Sequence, residues 1–168
     1  MSSDLLKVPK RLKKLALWIH PEGRVLGAIF LHAQSPEHAG EEEPVEVLNH
    51  EAAFLAVIRE NPDELRFYNK SSIVRVQYEE ADEEPSLPCM RPLPCRIEMM
   101  DGSLITGVVK QALPPDRPRL LDYLNQTNAR FIKISVDDDT VYLINKSYII
   151  HATDLTGSVA MESPDSNQ

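Results

Sequence analysis

Apolar residues fall in short runs that end at Gly, Pro, Asn or Asp, and one succession of runs is met twice. In the first pass, residues 15–20 read as a buried strand and Pro21-Glu22-Gly23-Arg24 as a turn in which Gly23 is free to take a positive φ. Residues 25–32 return as a second strand, with Gly27 and Ala28 small at its centre, as where a strand bends or another backbone comes close. Residues 45–49 predict one helical turn ended by Asn49, and residues 52–58 a third strand. After the turn Asn61-Pro62-Asp63-Glu64, residues 65–68 and 73–76 form two strands joined by the corner Asn69-Lys70-Ser71.

The second pass has shorter loops. Residues 95–100 alternate before Asp101-Gly102, a hairpin signal, and residues 104–110 form the return strand. A helical turn over residues 120–125 and a strand over 131–136 follow, and the corner Asn145-Lys146-Ser147 stands between residues 141–144 and 149–152. Leu48-Asn49 matches Leu124-Asn125, Ala53-Phe54 matches Ala129 and Phe131 after a one-residue shift, and Gly107 falls opposite Ala28 when Gly23 is aligned with Gly102. Identity and spacing agreeing at separate places indicate a duplication.

The expected organisation is a basic leader (1–14), a first β unit (15–79), an acidic and Pro-rich linker (80–94), a second β unit (95–155) and a disordered tail (156–168). The expected fold class is mainly β with one short helix per unit. Each unit of about five strands forms a strongly bent sheet that closes into a small barrel, giving two tandem, internally repeated barrels.

The motifs resemble the Sm-like fold, including its bacterial Hfq type. Asp101-Gly102-Ser103-Leu104-Ile105-Thr106-Gly107 is similar to the first Sm motif, and Tyr142-Leu143-Ile144-Asn145-Lys146-Ser147-Tyr148-Ile149 to the strand-corner-strand of the second. The resemblance implies a bacterial protein, ring assembly and RNA binding, with Asn145 and Lys146 in a nucleotide pocket and Asn69 and Lys70 doing the same in the first unit; Ser147 and Ser71, the remaining candidate binding residues, stand where the Hfq motif has a histidine. In such a pocket Lys meets a phosphate and Asn a base edge. The corner residues themselves also admit another reading, in which Asn bonds its own backbone in the left-handed conformation and Lys points to solvent.

Charge narrows the partner. A formal net charge of −8 argues against a surface built mainly to neutralise phosphates. The one basic cluster, Lys7, Lys10, Arg11, Lys13 and Lys14, reads either as a solvated leader or as a patch for an acidic partner or a phosphate, with Arg11, Lys13 and Lys14 its core. A basic stripe from these residues to Lys70 or Lys146 favours nucleic acid, whereas acidic or apolar faces favour protein.

Chemistry is sparse. Cys89 and Cys95 have no second pair to complete a zinc site, and the five histidines are dispersed. Asp137-Asp138-Asp139 lies at a hairpin tip without the spacing of a calcium loop. No phosphate loop or nucleophile elbow is written in the chain. The expectation is a cytoplasmic, non-enzymatic protein without metal, cofactor or membrane span. It binds a protein partner through exposed edges and grooves. RNA or DNA binding through the Asn-Lys corners is the alternative, and a homo-oligomer is compatible with either.

Overall fold

The computed structural model describes residues 10–80, 92–110, 120–126 and 128–157. The chain is mainly β and antiparallel, and it divides after Val76 into two units. Unit 1 carries β1 (Lys10–Ile19), β2 (Gly23–His32), α1 (Pro44–Asn49), β3 (Phe54–Arg59), β4 (Glu64–Asn69), a 3-10 turn (Lys70–Ser72) and β5 (Ile73–Glu79), whose end crosses the division. Unit 2 carries β6 (Leu93–Met99), β7 (Leu104–Val109), α2 (Leu120–Leu124), β8 (Phe131–Ser135), β9 (Thr140–Asn145), a 3-10 turn (Lys146–Tyr148) and β10 (Ile149–Asp154). The succession of elements is the same in both. Strand order is β5-β1-β2-β3-β4 in unit 1 and β10-β6-β7-β8-β9 in unit 2.

Alternation sets the faces. In β1, Leu15, Leu17 and Ile19 are buried, and they meet Ile29, Leu31 and Val57 from the neighbouring strands in the core of unit 1. Ile97, Met99 and Ile134 are the counterparts of Leu17, Ile19 and Val57 in unit 2. Each helix adds a lid to its core, Leu48 from α1 and Leu120 with Tyr123 from α2. Pro44 in the first turn and Glu46, whose carboxylate accepts from the Glu43 amide at 2.5 Å, start α1 where the expected helical turn begins.

Gly23 and Gly102 take positive φ, 96° and 88°, as their turns require. Gly27 sits where a Cβ would stand 2.7 Å from the Ile58 carbonyl oxygen, and Gly107 where one would stand 2.6 Å from that of Ser135. Both glycines let the third strand's backbone press against the second. Gly107 is therefore the equivalent of Gly27, not of Ala28. The turn glycines explain the slip: the two hairpins share one register, Trp18 opposite Arg24 and Glu98 opposite Leu104, but Gly102 stands one position earlier in its turn than Gly23.

The strand limits correct the expected boundaries. β1 begins at Lys10, so Arg11, Lys13 and Lys14 are strand residues and not a leader, held by a ladder in which Lys10 is opposite His32. β6 begins at Leu93, inside the expected linker. The leader before Lys10, most of the linker including Cys89, the loop around Pro114-Pro115 and the tail from Ser158 lie outside the described residues. No helix among the described residues is long and apolar enough to cross a membrane.

Candidate functional site

The two corners are built identically. Asn69 ends β4 with φ −67° and its side-chain oxygen accepts from the Ser71 amide at 2.9 Å; Asn145 has φ −70° and accepts from the Ser147 amide at 3.0 Å. Each Asn is thus the N-cap of a 3-10 turn in extended conformation, and the expected left-handed backbone is not adopted. The Lys70 amide donates to the Ala53 carbonyl and the Lys146 amide to that of Arg130, so the corner is hooked to the residue ahead of the third strand.

The lysines do not point to solvent. Lys70 is 1% exposed, and its ammonium donates to the Val47 and His50 carbonyls, both at 2.9 Å. Lys146, half-buried, donates to the Leu124 and Gln126 carbonyls at 3.0 and 2.7 Å. Both carbonyl pairs lie at or just past the C-terminal end of the preceding helix, where carbonyl oxygens with spare lone pairs, that of Val47 also accepting from the His50 amide, attract a cation. Burial holds the Lys146 ammonium below its ordinary pKa. Asn-Lys-Ser therefore ties the helix to the β4–β5 or β9–β10 corner, with the ammonium groups committed to the fold.

Strand alternation divides the basic cluster. Arg11 and Lys13 stand in register with Leu31 and Ile29, and Arg11 pairs with Glu41 at 3.1 Å and reaches the Glu42 carbonyl. Lys14 is on the opposite face with Lys10 and Leu12. With Lys70 buried, unit 1 has no stripe joining these residues to its corner.

A polar lock closes the loop before α1. Glu42, itself buried, accepts from the His32 amide and contacts His32 Nδ1, both at 2.8 Å. Glu46 accepts from Ser35 Oγ at 2.6 Å and lies 3.0 Å from His38 Nε2. Burial raises the Glu46 pKa, but the hydrogen bonds from Ser35, the Glu43 amide and His38 prevail and hold it below the ordinary value. Glu22 gathers Arg59, Arg66 and Tyr68 at the far end of the sheet; the Arg59 hydrogen bond, with the Arg59 and Arg66 charges and the Tyr68 hydroxyl, lowers its pKa against the opposing effect of burial. Among the described residues no group of three or more His, Cys, Asp or Glu side chains converges to hold a metal ion.

The outward face of unit 1 was not anticipated from the sequence. Phe67 is 65% exposed, Phe54 59% and Leu65 56%, on adjoining strands next to the β4 edge, which among the described residues has only β3 beside it. Leu26 and Phe30 of β2 and Leu12 of β1 continue the same side. Lys10 lies 6.0 Å from the Phe30 ring centroid, and Trp18 is stacked between Arg24 at 5.7 Å and Arg75 at 4.3 Å. Exposed aliphatic and aromatic groups gathered in this way are uncommon on a monomer. No family model matches the chain, nor does any curated protein or solved structure match it.

Proposed function

We propose that the protein is a non-catalytic interaction module of two small Sm-like or SH3-like barrels, and that it engages a protein partner with the outward face of unit 1. The observation that carries this reading is the trio Phe54, Leu65 and Phe67, each more than half exposed on the β3–β4 hairpin. Burying such side chains contributes about 1.5–3 kcal/mol apiece, so the three supply a substantial share of a contact whose remaining energy comes from the rest of the face. The adjacent β4 edge offers unpaired main-chain groups for strand addition. The repeated strand order and the glycine close approaches support the barrel reading. A cytoplasmic setting and self-assembly belong to the same proposal.

Nucleic acid is the competing partner, favoured by Lys10, Lys14 and Arg24 beside Phe30 and Trp18, since bases stack on aromatic rings next to cations. The aliphatic share of the face and the net charge of −8 favour protein. The test is selection of displayed random peptides on the full chain, compared with a Phe54→Ser/Phe67→Ser variant that keeps its far-UV circular dichroism. Enrichment on the wild type that vanishes on the variant supports the reading. No enrichment, or enrichment indifferent to the substitutions, refutes it.

A further inference from the structure

We infer that the outward face of unit 1 recognises an acidic segment carrying apolar anchors. The inference rests on reading that face as a protein-docking surface and names the partner's chemistry. Lys14, Ala28, Ile58 and Leu65 stand opposite one another in a single row across β1, β2, β3 and β4. Three strand spacings make this row roughly 14 Å long, the reach of about four extended residues. A segment crossing the strands meets a cation at one end and bare leucine at the other, with Phe67 beside it.

The charge bias is one-sided. Within the limits of β1 to β4 no Asp or Glu occupies an outward position, the first being Glu60 just past β3, although the chain holds 26 acidic residues against 18 Lys and Arg. Lys10, Lys14 and Arg24 are the cations of that face; His32, also on it, is already paired with Glu42. Glu22 and Glu64 contact Arg66, whose strand position alternates with those of Leu65 and Phe67 and so belongs to the opposite side. Unit 2 supplies an internal control. Its equivalent row is Pro94, Val108, Ser135 and Val141, with Glu98 in the place of Trp18 and Lys133 in the place of Ala56. The same face of unit 2 carries Arg96 and Lys133 with Glu98 beside them, and its Val141 and Leu143, in the places of Leu65 and Phe67, are buried. What sets unit 1 apart is that these apolar groups are bare and that no acidic strand residue stands among its cations, and an acidic, apolar segment complements both features.

The test uses the full chain in three forms: wild type, Lys14→Glu/Arg24→Glu, and Phe54→Ser/Phe67→Ser. Far-UV circular dichroism and urea midpoints establish that each is folded. Displayed random peptides are selected on all three, and labelled single-stranded oligonucleotides are titrated alongside at low salt. The wild type is expected to enrich peptides with Asp or Glu about four residues from Leu, Ile or Phe. The charge-reversed form is expected to bind these at least about tenfold more weakly and to enrich Lys or Arg instead. Neutral or basic winners, or winners indifferent to charge reversal, overturn the acidic-partner inference and leave the docking reading intact. Loss of all Phe54- and Phe67-dependent enrichment overturns both. An oligonucleotide bound more tightly than the best peptide, and released by charge reversal, overturns the inference in favour of nucleic acid.

Discussion

Replacing Lys70 with Met separates a structural lysine from a binding one. The methionine keeps the apolar stem of a side chain that is 1% exposed, but removes the donor for the Val47 and His50 carbonyls, each at 2.9 Å. Hydrogen bonds from a charged donor contribute about 1.5–3 kcal/mol each, and relief of the buried charge offsets part of that, leaving a net loss of about 2 kcal/mol. Urea slopes for small domains start near 1 kcal/mol per molar, so the midpoint falls by about 2 M. Trp18 is the chain's one tryptophan and lies on β1 of the same unit, so its fluorescence reports the transition. Lys146→Met, at a less deeply buried site, costs about 1 kcal/mol by far-UV circular dichroism. A Lys70→Met midpoint within about 0.5 M of the wild type refutes the clamp.

Three other expectations follow from particular contacts. Gly107→Ala drives a Cβ to 2.5 Å from Ile134 Cγ2 and 2.6 Å from the Ser135 carbonyl oxygen; it costs about 1–3 kcal/mol, and an unchanged urea midpoint contradicts the close approach. The Cys95 thiol, pushed up to about 11 by burial and then by Asp154, stays protonated at pH 8. In a Cys89→Ser chain iodoacetamide labels it only after unfolding, and labelling of the native chain contradicts its burial. Glu46 and Glu22 have folded pKa values below their ordinary 4.5, so the stability they contribute is fully present above pH 4.5 and is lost as pH falls through the lowered values. Glu46→Gln flattens that acid limb in urea unfolding followed by Trp18 fluorescence, and an unaltered slope argues against the loop lock.

Much of the architecture was legible because it is local. Turn residues such as Gly23, Asp101 and Gly102 and the doubled Asn-Lys-Ser announce connections through backbone chemistry that any sequence displays. Which face of a strand looks inward is not local. In β4, Leu65 and Phe67 alternate with Arg66 and Tyr68, and both sets contain large apolar surface, so period two alone does not say that Tyr68 is buried and Phe67 bare. The fate of Lys70 was hidden for a related reason. Its partners are main-chain carbonyls 20 and 23 residues earlier, and main-chain groups carry no sequence signature. The basic run at the start of β1 looked continuous only because adjacent letters in a strand belong to opposite faces.

The repeated succession of elements discriminates between the two kinds of feature. A contact that the fold needs must be made in both units, because both build the same succession of elements. The corner meets that condition: Asn caps the turn, Lys spans to two helix-end carbonyls, and the Lys amide hooks the third strand, in unit 1 and unit 2 alike. A feature found in one unit only is free of that requirement. Exposed Phe54, Leu65 and Phe67 also carry a standing cost, since an edge strand with a bare apolar face invites association with the wrong chain. Unit 2 has apolar residues in the same places, Phe131, Val141 and Leu143, but buries all three. On the docking reading, a partner covers in unit 1 what the fold covers in unit 2. On that ground the search for this protein's activity belongs on the outward face of β1 to β4 and not at the corners, where the repeated motif first draws the eye.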